Sequence, residues 1–92
     1  MWNVNGTAKG FPDGTGLPGD DYAADLVRQN ADRAVEEDRL TWRHILCAKQ
    51  QTALAVTDLR RLRRALVEVV EAAEDWIADI DRRLVEESRS DG

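Results

Sequence analysis

Glu68, Glu71, Glu74 and Asp75 are the residues whose type and spacing come nearest to chemistry in this chain. Carboxylates three residues apart share one side of a helix, and oxygen ligands so placed suit Mg²⁺. Counted in heptads with Ile45 at position a, these four fall at c, f, b and c, away from the apolar seam of the same helix. A metal cluster needs ligands that converge in a protected site, and these point outward. His44 is the only histidine and Cys47 the only cysteine. A helical di-iron site needs a Glu-x-x-His pair, but the residue three before His44 is Thr41. Nothing near Cys47 completes a nucleophilic set with a base and an orienting amide. His44 therefore reads as the flank of a helix bundle and Cys47 as a half-exposed thiol.

Glu71-Ala-Ala-Glu74 is similar to the E-x-x-E motif of the all-α NTP pyrophosphatases, and that resemblance would imply Mg²⁺-dependent hydrolysis on a helical scaffold. The paired E-E-x-x-E element of that family is missing, since Glu36-Glu37 is followed by Asp-Arg-Leu. We expect no catalytic residue, no metal site and no cofactor.

The arginine cluster Arg60-Arg61-Leu62-Arg63-Arg64 is the other chemical feature. Guanidinium forks match phosphates and carboxylates. Arg60, Arg61 and Arg64 fall at b, c and f, on the outer side, and form a candidate patch for an acidic partner or a phosphate. The chain as a whole is acidic, with a formal net charge of -5. Nine acidic residues and three arginines follow between Glu68 and Asp91. That balance argues against nucleic acid as a partner, and a contact between these arginines and acidic side chains within an assembly fits the cluster as well.

The element that must position these groups runs from Ile45 to Ile80. Its a and d residues are Ile45, Ala48, Thr52, Ala55, Leu59, Leu62, Leu66, Val69, Ala73, Trp76 and Ile80, of which only Thr52 is polar. Strict 4-3 spacing over five heptads is the pattern of a coiled-coil seam. A second stripe at e holds Trp42, Lys49, Val56, Arg63, Val70, Ile77 and Leu84. An apolar a/d/e face is wider than a two-stranded coil requires, and Trp76 is bulky for a tight dimer. The face predicts a trimer or larger bundle, or a two-helix hairpin that dimerises. The oligomer interface would comprise Ile45, Val56, Leu59, Leu62, Leu66, Val69, Val70, Trp76, Ile77 and Ile80. Asp58 at g could meet Arg63 at e of a parallel neighbour, which tilts the orientation towards parallel.

Residues 1–19 differ in kind. They hold five of the six glycines and both prolines, with turn signals at Asn5-Gly6 and Asp13-Gly14. Trp2, Val4, Phe11 and Leu17 punctuate this arm, which is either a flexible tail or a docking arm that lays those side chains on a neighbouring surface. Helix begins after Pro18-Gly19, with Asp20 as a suitable N-cap. Between Asp20 and Asp91 there is neither glycine nor proline. Glu36-Glu37-Asp38-Arg39 interrupts the apolar face of the first helix and would place Asp38 in the seam, a costly burial. We expect a break at 37–41, with Thr41 capping the next helix. Thr57-Asp58 is a rival turn, but the seam crosses it without a phase slip.

At 92 residues the chain makes at most one small domain, marginal unless a partner completes its core. No apolar run approaches the roughly 18 residues of a membrane span, and no basic-then-apolar leader opens the chain. A single cysteine cannot form an intrachain disulfide. These features suggest a cytoplasmic origin and no membrane partner. Only two of the thirteen basic residues are lysine, a bias of GC-rich genomes such as those of actinobacteria and their phages. The expected fold is all-α: an extended or flexible arm (1–19), then a helical, coiled-coil domain (20–92) with a short helix to about residue 37 and a long one from about 41 to 87. The expected function is non-enzymatic assembly with itself and another protein, as in a small virion component. The alternative is a small regulator that binds a host protein through its helices.

Overall fold

A computed structural model describes residue 10 and residues 12–90. The described chain is all-helical, with α1 at Asp20–Glu36, α2 at Trp42–Leu54 and α3 at Leu59–Ser90. α1 packs on α2 and α2 packs on α3, while α1 and α3 do not pack on one another. The principal extents are 50 × 41 × 24 Å.

Each boundary has a local cause. Gly19 precedes α1 in the left-handed region at φ 92° and takes the N-cap position expected for Asp20. Asp20 is instead the first helical residue, and its carboxylate accepts the Leu17 N–H at 2.8 Å. α1 stops where Asp38 turns left-handed at φ 54°. The Arg39 N–H donates to the Ala34 carbonyl at 2.8 Å and the Asp38 N–H to the Val35 carbonyl at 3.1 Å. This is a Schellman closure, with aspartate in the place glycine usually takes. The break expected at 37–41 is therefore present. Thr41 caps α2, accepting from the His44 N–H, while His44 Nδ1 accepts the Thr41 N–H at 3.1 Å.

The second boundary corrects the expectation of one uninterrupted helix from 41 to 87. α2 ends at Leu54, and Ala55 to Asp58 form a turn. Asp58 then caps α3: its carboxylate accepts the Arg61 N–H at 3.0 Å and its carbonyl the Leu62 N–H at 2.8 Å. Asp58 thus stands before the helix, with its carboxylate engaged at the cap rather than free as a flanking g residue. The end of the arm closes the turn from outside. The Gly16 N–H donates to the Leu54 carbonyl at 2.8 Å, satisfying a carbonyl that the helix end leaves open. A Cβ on Gly16 would lie 2.2 Å from Thr57 Cγ2, and Gly16 has φ +69°. Both facts reserve this place for glycine.

The core is thin. Among the described residues, the buried apolar ones are Ala24, Ala34, Ala53, Leu62, Ala65 and Ala72. Five of the six are alanine, which lets the helices approach closely but buries little surface. Ala53, Leu62 and Ala65 form the central cluster, with Val56 and Val69 packed against it.

Candidate interaction surface

The predicted a/d/e face of α3 is divided between the inside and the outside. Leu62, Ala65, Val69, Ala72, Trp76 and Asp79, the d and g positions, are buried or half-buried. They follow the side on which α2 packs. Leu66, Val70, Ile77, Ile80 and Leu84, at a and e, are exposed, with Leu66 at 49%, Val70 at 53% and Ile77 at 57%. Ala73, at a, is half-buried between the two sides. Leu59 is the most exposed seam residue at 69%. Of the ten residues expected at an oligomer interface, Leu62, Val69 and Val56 are thus spent on the core of the single chain. Trp76 and Ile45 are half-buried beside α2 and α3. Leu59, Leu66, Val70, Ile77 and Ile80 remain outside.

Polar contacts hold α2 against the inner side. The Trp42 indole N–H donates to Asp79 Oδ2 at 3.0 Å, and the Trp42 and Trp76 rings stack with centroids 6.5 Å apart and an 11° interplanar angle. Asp79 also pairs with Arg82 and, at 3.3 Å, with Arg83. Lys49 Nζ donates to Glu68 Oε1 at 2.7 Å. That bond holds the Glu68 carboxyl below its ordinary value of 4.5. Asp79 is the residue the sequence reading missed. Its signal was a carboxylate at position g, one turn beyond Trp76.

α3 outruns α2. Thirteen residues span about 20 Å and thirty-two about 48 Å, at ~1.5 Å per residue, and α2 reaches only as far as the Trp42–Asp79 contact. From Ile80 to Arg89 every side chain is exposed. This overhang carries Ile80, Leu84 and Val85 into water.

The chemical candidates do not assemble into a site. Glu68 is tied to Lys49, and Glu71, Glu74 and Asp75 are exposed on the surface of α3. Among the described residues no group of three histidine, cysteine, aspartate or glutamate side chains could hold a metal ion. His44 Nδ1 is engaged at the α2 cap, 2.7 Å from Thr41 Oγ1. Cys47 is half-buried. Arg60, Arg61 and Arg64 are exposed on the first two turns of α3. Arg61 lines a cleft of about 440 Å³ together with Asp21, Asp25 and Asp58, so part of its field is neutralised within the chain. Of the expected docking arm, Leu17 is 60% exposed, and Trp2, Val4 and Phe11 lie outside the described residues. No helix among the described residues is long and apolar enough to cross a membrane.

Comparison with known proteins finds no matching family model, no matching curated relative and no matching solved structure.

Proposed function

We propose that this chain is a non-enzymatic assembly protein that associates with copies of itself through the outer side of α3, and through them joins a larger structure. One observation carries the reading: the side chains buried within the chain are almost all alanine, while eight large apolar side chains of α3 stand exposed. Large contiguous apolar patches are rare on solitary soluble chains and mark interaction surfaces. A core this thin gains its stability margin by association. A narrower identity, a small structural part of a phage virion, draws on the arginine-over-lysine bias and the arm-plus-helix layout. A regulator that inserts α3 into the groove of a host helix bundle is the second reading, favoured by the apolar overhang beyond α2.

The test is solution mass. Sedimentation equilibrium of the pure chain should give a multiple of 10.3 kDa. Ile77→Asp, which sets a charge in the middle of the exposed stripe, should reduce it to one chain without loss of helical circular dichroism. A wild-type chain that stays at the monomer mass across the concentration range would refute self-association.

A further inference from the structure

The outer side of α3 has a spacing of its own. Leu66, Val70, Ala73, Ile77, Ile80 and Leu84 follow one another at steps of 4, 3, 4, 3 and 4. This is a complete coiled-coil seam, separate from the stripe that faces α2, and only as wide as a two-stranded coil needs. Its ends differ sharply in charge. Leu59 to Val67 hold four arginines and no acid, whereas Glu68 to Ser90 hold eight carboxylates and three arginines. The arginines also sit at the start of α3, where no acidic side chain occupies the first turn. That is the positive end of the helix dipole, where negative charge beyond the Asp58 cap is favourable.

From this pattern we infer that α3 pairs with α3 of a second copy, antiparallel, about a two-fold axis that passes between Glu71 and Ala72. The inference rests on the self-association proposed above and deepens it. In this register Leu66 lies opposite Ile77 of the second copy and Val70 opposite Ala73, so each layer beside the dyad is apolar and the small Ala73 faces the larger Val70. Leu59, the most exposed seam residue, covers Leu84 on the overhang of the other chain. Arg60 flanks Asp81 of the second copy, and symmetry makes that contact twice. Arg63 falls within the seam and lays its stem on Ile80 with its guanidinium beside Asp81, as long cationic side chains do. The parallel alternative stacks Arg63 on its own copy and Glu87 on its own copy, and leaves Arg60 and Asp81 about 32 Å apart at ~1.5 Å per residue. Like charges in one seam disfavour that pairing. The antiparallel pair also brings the acidic half of one α3 to the basic N-terminus of the other, and it covers both overhangs. The result is two hairpins joined along their long helices.

Two measurements on the full chain test it. In a Cys47→Ser background, spin labels on Ser88→Cys should lie about 50 Å apart in the antiparallel dimer and within about 20 Å in a parallel one. Arg60→Glu and Asp81→Arg should each weaken the dimer about tenfold, and the double variant should restore it. Arg60→Glu puts an acid in the first turn of α3, so weaker association cannot be ascribed to a lost helix. A dimer with labels within about 20 Å overturns the antiparallel arrangement and leaves self-association standing. Labels at about 50 Å without rescue by the double variant overturn the register. A trimer or larger mass overturns the two-fold. A chain that is monomeric throughout overturns both proposals and assigns the stripe to a helix of another protein.

Discussion

Lys49 and Glu68 show how single residues change meaning once neighbours are placed. In the heptad count Lys49 is a polar gap in the e stripe and Glu68 the first member of a candidate metal-binding row. In the fold they bond to each other at 2.7 Å across α2 and α3. The hydrogen bond from Lys49 lowers the Glu68 pKa, and the charge of Lys49 and then of Arg64 acts in the same direction. The sign for stability follows from linkage. A carboxylate with a lowered folded pKa stabilises the fold fully above its unfolded value and loses that contribution as pH falls through the folded value. Lys49→Met should return the Glu68 pKa, followed by carboxyl NMR shifts, to the ordinary range near 4.5. A pKa that stays low in the variant would show that Lys49 is not its cause. His44 changed meaning in the same way: a ligand candidate by type, it serves as the second half of a capping box.

At the scale of elements, both ends of the first loop were legible. The acidic interruption at 36–39 and Thr41 named the break, and the Schellman closure and capping box are its local causes. The second turn was legible too, since Thr57-Asp58 is ordinary turn and cap chemistry. It was outweighed by the unbroken heptad phase. Heptad phase counts residues and carries no information about chain direction. A seam continues in step whether the chain runs straight on or folds back so that its two halves face each other. Asp58 is the residue that decides it locally. Asp58→Ala removes the cap of α3 and should lower stability by about 1 kcal/mol in urea titration. A raised unfolding midpoint would mean that the cap holds the chain in a turn it would otherwise straighten.

The whole molecule separates stability within one chain from cohesion between chains, and two leucines on one helix report on each. Leu62 is 7% exposed and Leu66 is 49% exposed. Leu62→Ala should cost about 2–5 kcal/mol of folding stability, the range for emptying a core site. Leu66→Ala should cost under about 1 kcal/mol in dilute solution, where a half-exposed site loses less, and should instead raise the dissociation constant of the assembly. Equal losses from the two substitutions, read by denaturant unfolding at low concentration, would contradict the division of α3 into an inner and an outer side.

The sequence by itself determined that the chain is helical, where the first loop falls and which stripe of residues is apolar, because capping chemistry and hydrophobic period are local properties. It also placed the carboxylates Glu68, Glu71, Glu74 and Asp75 off the a/d seam. The tertiary structure alone decided which half of the a/d/e face is spent inside the chain, because that depends on the hairpin closing at Ala55 to Asp58. α2 is too short to cover α3. It takes the d and g positions as far as Asp79, by the Trp42 contact, and leaves a and e to water. A residue count sees one wide face there, and only the packing of a second helix divides it into a core and a surface.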